Sequence, residues 1–248
     1  MRQSKKTARS NQIVIRDDDR VFVLTGAGIS AESGLATFRG AGGLWEGERV
    51  EDVASPRGWK RDPERVWRFY SLRRKAAVHA EPNPAHFALT ELERKLGERF
   101  FLCTQNVDNL HERAGSRNLV HMHGELFQSC CESCEREPFP DVRLYQSKAE
   151  HLFCECGGRI RPNIVWFGET PFHMERIFEE LHRCSVMLVV GTSGVVQPAA
   201  SFVAWATERS CASPARTYYV GPEHPANAAA FTRVFEGRAG ELLPQLFM

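Results

Sequence analysis

Arg20-Val21-Phe22-Val23-Leu24-Thr25-Gly26-Ala27-Gly28-Ile29-Ser30-Ala31 is the stretch that decides the fold class. Up to Thr25 it is a continuous β-rich run without polar alternation, the pattern of a strand buried on both faces. From Gly26 it becomes a strand-to-helix turn without bulky side chains, a geometry that lets backbone N–H groups approach a phosphate. The same strand design recurs in Arg99-Phe100-Phe101-Leu102-Cys103-Thr104, Leu119-Val120-His121, Val186-Met187-Leu188-Val189-Val190 before Gly191-Thr192-Ser193-Gly194, and Thr217-Tyr218-Tyr219-Val220 before Gly221-Pro222. Helical patterns lie between several of them, over Ala85 to Leu96, Met174 to Arg183 and Pro198 to Glu208. Strands alternating with helices predict an α/β chain with a parallel, doubly wound sheet. In such sheets ligands bind beyond the carboxyl ends of the strands, so the segments that follow the strands should converge on one crevice.

Two segments do not fit that sheet. Residues 41–80 are rich in Trp, Arg and Glu, and Pro56 and Pro63 are expected to break them into short helices. Residues 128–160 hold Cys131-x2-Cys134, Cys154-x-Cys156, Pro138 and Pro140, with little periodicity. Both read as insertions that pack together as a smaller domain, leaving 13–40, 81–127 and 161–248 for the sheet domain. Four cysteines in two close pairs suit one tetrahedral zinc ion that keeps no open coordination position and is therefore structural. Cys130 competes with Cys131 for the first ligand place. Cys103, Cys184 and Cys211 read as small core residues.

At 248 residues the chain has room for one or two domains. Its formal charge is 32 − 31 = +1, so no whole-protein field draws it to nucleic acid. The apolar run Val186 to Val190 is far too short to span a bilayer. The N-terminus carries Arg2, Lys5, Lys6 and Arg9 without a following apolar segment, which does not suit a secretory signal. A cytoplasmic protein is expected, or one of the mitochondrial matrix if that basic stretch is a transit peptide.

Gly26-x-Gly28-x-x-Ala31 after a strand points to a dinucleotide. A hydride-transferring dehydrogenase also needs an acid closing a second strand about 20 residues on. Glu46, Glu48, Glu51 and Asp52 have no strand before them, which disfavours that reading. Thr104-Gln105-Asn106-Val107-Asp108 places an amide pair and a carboxylate just past a strand. Asn106 and Asp108 could cap the helix starting near Asn109, and both roles can coexist. His123, in His121-Met122-His123-Gly124, follows the next strand. It is either a satisfied polar residue at a strand end or a general base, for which an imidazole pKa near the operating pH is suited.

Taken together, the chain resembles the sirtuins, the family of NAD-dependent protein lysine deacylases. The resemblance runs from Val21 to Leu246 and is carried by GAGIS-x-x-SG from Gly26 with Phe38-Arg39, TQN-x-D-x-LH from Thr104, HGEL from His123 before a cysteine pair, RP-x-IVWFGE from Arg161, and GTS from Gly191. It implies a Rossmann-like domain with a smaller helical and zinc module. It implies His123 as general base, with Gly26, Ala27, Gly28, Ile29, Ser30, Phe38, Arg39 and Trp45 in a cofactor loop. Gln105, Asn106 and Asp108 would surround the nicotinamide and its ribose. Gly191, Thr192 and Ser193 would hold the adenosine half, with Arg238-Ala239 against the adenine. Val165, Trp166 and Phe167 would pair with the substrate backbone and line an acyl-lysine tunnel.

The implied reaction starts with attack of the acyl oxygen on the ribose carbon bearing nicotinamide and ends in free lysine, nicotinamide and O-acyl-ADP-ribose. A mono-ADP-ribosyltransferase and a non-catalytic NAD or ADP-ribose sensor are the alternatives. Two departures stand out. Many members carry Asn-x-Glu after the last sheet strand, where this chain has Gly221-Pro222-Glu223, which leaves Glu223 as the ribose contact. The one-residue spacer between Cys154 and Cys156 is the other. Tyr70-x-x-Arg73 resembles the motif of the branch that removes succinyl and malonyl groups, and helical spacing puts the two side chains on one face. A carboxylate at the acyl end would suit them. Arg74 and Lys75 follow, and a solvated basic face is the competing reading.

Overall fold

The computed structural model describes residues 12–37, 44–45, 47–208 and 214–247, and of Leu44 and Trp45 only the backbone. Strand β1 (Val21–Thr25) runs straight into a five-residue helix, α1 (Ala27–Ala31). A two-residue antiparallel pair, β2 (Leu44–Trp45) and β3 (Glu48–Arg49), opens the first insertion, followed by α2 (Val50–Val53) and α3 (Pro56–Arg61). The long α4 (Pro63–His79) and α5 (Pro84–Leu96) lead back to the sheet. The two prolines of the insertion therefore start helices. Pro56 and Pro63 sit in first turns, where no backbone donor is needed. Ser55 Oγ accepts from Gly58 N and the Asp62 carboxylate accepts from Arg65 N, so each helix is capped. Beyond Pro63 nothing interrupts the helical pattern, and α4 runs 17 residues where short helices were expected.

The sheet continues with β4 (Phe100–Thr104), helix α6 (Leu110–Ala114) and β5 (Leu119–His121). The second insertion forms an antiparallel sheet of β6 (Gly124–Cys131), β7 (Phe139–Pro140) and β8 (Ile160–Ile164), so its pairing extends past both ends of 128–160. Then come α7 (Met174–Arg183), β9 (Val186–Val190), α8 (Phe202–Thr207), β10 (Arg216–Gly221), β11 (Arg233–Glu236) and α9 (Ala239–Leu246). Among the described residues the central sheet has the order β11-β10-β9-β1-β4-β5, with every neighbouring pair parallel.

Period-two alternation of an apolar strand explains the two layers. Val21 and Val23 point with Leu102, Leu188 and Val220 into a core closed by Leu89 and Leu92 of α5 and Leu243 and Leu246 of α9. Phe22 and Leu24 point the other way, with Phe101, Met187 and Val189, against Ile177 and Leu181 of α7 and Phe202 and Val203 of α8. The insertions share a third core of Trp59, Val66, Trp67, Tyr70, Tyr145, Ile160 and Trp166, which also takes in Leu35, Val107 and Leu110 from the sheet domain.

Arg74 is central to that third core. Its side chain is fully buried and sits 3.4 Å from the equally buried carboxylate of Asp141. It also donates to the backbone oxygens of Leu126, Arg143 and Gln128 and to Ser129 Oγ. The solvated-face reading thus fails at Arg74, which ties α4 to the zinc-side sheet. Arg74→Met should cost about 3 kcal/mol, the lower end for a broken buried pair, because Arg143 and Tyr145 still satisfy Asp141. Burial pushes the Asp141 carboxyl up, but hydrogen bonds from Arg143 and Ser129 and the Arg74 charge outweigh it and hold its pKa at about 2. A depressed folded-state pKa gives stability that is complete above the ordinary aspartate value and lost as pH falls towards the folded one. Denaturant unfolding of wild type and variant across acid pH checks both statements.

Candidate functional site

A cavity of about 850 Å³ opens at the carboxyl ends of the strands, between the sheet and the third core. It lies where the chain order reverses, because β1 is followed on one side by β4 and β5 and on the other by β9, β10 and β11. The loops after β1 and β9 meet there backbone to backbone. Gly28 N donates to Gly191 O at 2.8 Å, and a Cβ on Gly28 would stand 2.7 Å from Gly191 Cα. Gly191 has φ +63° and a Cβ on it would stand 2.4 Å from Ile29 N. Glycine is therefore required by close approach of the two loops, as well as by any ligand. Gly26, Ala27, Gly28 and Ser30 line one wall, with Gly191, Thr192, Ser193 and Glu223 along it.

The turn after β4 supplies the amides. Asn106 is buried; its Nδ2 donates to Gly26 O at 3.2 Å and Ser30 Oγ at 3.1 Å, and its backbone N–H donates to Thr104 Oγ1 at 3.0 Å. Asp108 accepts from Ser30 Oγ at 3.1 Å and from Leu110 N at 3.2 Å, so helix capping and site formation coexist in one side chain. Burial holds its carboxyl above the ordinary value. Gln105 Nε2 is buried at the cavity without a protein partner, a donor that suits a ligand oxygen such as that of a carboxamide.

His123 lines the same cavity, and its Nδ1 lies 3.2 Å from Gln105 O. A carbonyl only accepts, so Nδ1 carries the proton and Nε2 keeps its lone pair. Burial lowers the His123 pKa, which keeps the ring neutral and basic at physiological pH. From the end of the adjacent strand β8 the backbone completes the mount, with Val165 N donating to His123 O at 2.9 Å.

Val165, Trp166 and Phe167 form the opposite wall with Tyr70 and Arg73. Phe167 N donates to Ala54 O at 3.0 Å, which pins this segment to the helical insertion. Trp166 is buried, lies 3.4 Å under the guanidinium of Arg161, and donates from Nε1 to Tyr70 Oη at 3.1 Å. Arg161 is held in turn by both oxygens of Glu169, at 2.7 and 3.0 Å. Burial raises the Tyr70 pKa, so its hydroxyl stays protonated and able to donate.

Most of the residues expected at the site thus meet in one cavity. Ile29 and Ala239 instead lie in the core beneath the sheet. Phe38 and Arg39 lie outside the described residues, as does the side chain of Trp45. Sequence reasoning missed the supports. Glu169 under Arg161 closes the RP-x-IVWFGE motif that Arg161 opens, but the motif does not say that its two ends pair. Asn83, whose Nδ2 donates to Ile29 O at 2.7 Å, reaches across 54 positions, and no local pattern signals that bond. Gly221 has a local reason. A Cβ there would stand 2.3 Å from the hydroxyl of Tyr219, which bonds Thr192 O at 3.2 Å.

The four cysteines converge at the far end of the zinc-side sheet. Cys131 and Cys156 sulfurs lie 3.5 Å apart, Cys134 and Cys154 3.8 Å, and all four fall within 4.8 Å of one another. Zn–S bonds of about 2.3 Å in a tetrahedron demand S···S edges of about 3.8 Å, so the tetrad fits one structural zinc ion. The single-residue spacer is accommodated by a turn in which Gly157 N bonds Cys154 O. Cys130 points elsewhere, its sulfur 4.0 Å from Pro162 O. Among the described residues no helix is long and apolar enough to cross a membrane.

A Sir2 family profile matches residues 26–198. A protein of Pasteurella multocida named NAD-dependent protein deacylase is 46% identical over 233 residues, covering 91% of this chain and 95% of its own. One of the same name from Escherichia coli K12 is 45% identical, covering 91% and 80%. Among solved structures, a Sir2 homologue in complex with NAD superposes with TM-score 0.83 at 40% identity, over 93% of this chain and 89% of that one. A Sir2 protein bound to a myristoylated histone peptide gives 0.71 at 33%, over 93% and 90%. With the switch-point glycines, the amide turn, the histidine and the cysteine tetrad in place, the chain belongs to the Sir2 family.

Proposed function

We propose that this chain removes acyl groups from protein lysines at the expense of NAD. The observation that carries the reading is the single cavity in which the glycine loops, the Gln105–Asp108 turn and a neutral His123 face the Val165–Phe167 wall. NAD bound there would supply an electrophilic ribose carbon with nicotinamide as leaving group. Gln105 would offer its buried donor to the carboxamide, and Asn106 and Asp108, which line the same cavity, would hold the ribose. The Nε2 of His123, left free by the Nδ1 contact, would take up the proton of a ribose hydroxyl. Val165 to Phe167 align the peptide and the buried Trp166 bounds the acyl chain, so positioning supplies much of the acceleration. Mass spectrometry of the products from NAD and an acetyl-lysine peptide tests this. Nicotinamide, free lysine and O-acetyl-ADP-ribose are expected in equal amounts, whereas an ADP-ribosylated protein would move the chain to transferase chemistry.

The acyl group is proposed to include succinyl and malonyl chains. Tyr70 and Arg73, one helical turn apart on α4, both line the cavity beside Trp166. A planar guanidinium and a protonated phenol make charge-assisted bonds to a terminal carboxylate. Arg73→Met should cost desuccinylation about 2–4 kcal/mol in kcat/KM, the scale of truncating one partner of a buried charge pair, and spare deacetylation. The Arg73 charge also favours the ionised form of Asp108. Equal losses on succinyl- and acetyl-lysine peptides would therefore mark Arg73 as a support of Asp108 and end the specificity reading.

A further inference from the structure

His121 precedes the proposed base by two residues and lies outside the cavity, 6% exposed. Both of its ring nitrogens face acceptors. Nδ1 lies 2.8 Å from the backbone oxygen of Asn106, and Nε2 lies 2.6 Å from Glu112 Oε1 on α6. A neutral imidazole has one N–H and one lone pair, so whichever tautomer it adopted would set a lone pair against an oxygen. Only the doubly protonated ring satisfies both contacts. The charged groups around it agree in sign. Glu112 on α6, Glu125 on β6 and Asp108 after β4 face it, while the nearby His111 of α6 and His173 ahead of α7 have pKa values lowered by burial. Burial pulls the His121 pKa down, but the Glu112 bond and charge outweigh it and leave the value raised.

The consequence lies in the turn that His121 grips. His121, the last residue of β5, and His123, in the turn that follows, each bond a carbonyl of the Gln105-Asn106 turn. One ring must stay charged and the other neutral for both contacts to coexist with proton transfer at His123. We propose that His121 is a positioning residue that, as an imidazolium, ties the Gln105-Asn106 turn to α6, and that loss of its proton frees the turn and sets the alkaline limit of the reaction. This rests on the deacylase reading for its kinetic expression, though not for its structural one.

Two measurements on the zinc-loaded protein decide it. Nitrogen-15 NMR of the His121 ring should show an imidazolium just above the ordinary histidine pKa in the wild type, and a neutral ring in Glu112→Gln, whose carboxamide can donate to a bare Nε2. In kcat/KM for NAD with an acetyl-lysine peptide, wild type should fall on an alkaline limb that lies above the ordinary histidine value. Glu112→Gln should lose that limb and keep the acid limb set by His123. His121→Asn, too short to bridge both acceptors, should lower kcat/KM for NAD by up to about 10²-fold, the scale of a misplaced active-site turn, without an alkaline limb. A neutral His121 ring in the wild type, or an unchanged alkaline limb in Glu112→Gln, overturns the proposal. If no acyl-peptide is turned over at any pH, the deacylase reading fails. The ring spectra, and calorimetry of NAD binding across the same pH range, still decide the role of His121.

Discussion

His123→Ala is expected to fold, hold zinc and bind NAD while losing deacylation by about 10²–10⁴-fold, the usual contribution of a positioned general base. His123 is well placed to show so large an effect. Its Nδ1 is occupied by Gln105 O, its backbone oxygen by Val165 N, and burial keeps the ring neutral, so that Nε2 is a base already oriented at the cavity. Alanine removes the base and leaves Gln105 O at a half-buried position that water can reach, so the stability cost should be small. The sign of the pH dependence follows from the lowered pKa. A protonated ring has no lone pair, so activity should fall as pH drops through a value below the ordinary histidine range. Above that value the acid limb should be flat. Exchange of labelled nicotinamide, a partial reaction upstream of the proton transfer, should survive in part. Rates of deacylation and exchange measured side by side check it, and near-normal deacylation in the variant would remove His123 from the role of base.

How much of this was readable from the chain varies by element, for physical reasons. The strands were legible because a parallel sheet covered on both faces needs unbroken apolar runs. β1, β4 and β9 are five buried residues each. Segments β6 and β8 were not legible. Pairing between Gly124–Cys131 and Ile160–Ile164 is long-range, and half-exposed residues and Pro162 disrupt the alternation that marks a strand. Strand β11, Arg233–Glu236, is short and lies at the edge of the sheet, where burial demands less of its sequence. Site residues were legible where one segment carries several of them, as from Gln105 to Asp108. The burial of Arg74 was not legible, because a helix that packs on both sides buries a residue one position from the cavity wall. Its burial depends on Asp141, 67 positions away.

Cys134→Ser should be the most damaging single change to the fold. The tetrad cross-links the Cys131–Cys134 and Cys154–Cys156 turns at that end of the sheet. Beside it the turns meet through polar contacts near the surface: Glu132 and Arg159 pair at 2.8 Å, Trp59 Nε1 donates to Glu132 at 2.6 Å, and Phe153 is 69% exposed. A structural zinc site contributes about 10–16 kcal/mol of apparent binding energy, and a serine oxygen replaces a thiolate poorly. Even about a third of that energy, roughly 5 kcal/mol, would lower the melting temperature by about 10–20 °C for a chain of this size. The loss should not stay local. The zinc-side sheet begins at Gly124, one residue after His123, and ends at Ile164, one residue before Val165. Loosening that sheet therefore loosens both the base and the substrate wall. Activity should fall with zinc occupancy, and a chelator should bring the wild type to the same melting temperature as the variant. Zinc quantification, thermal melts and acetyl-peptide turnover on one preparation test the chain of events. A metal-free variant that melts like the wild type and keeps full activity would refute the structural role of the tetrad.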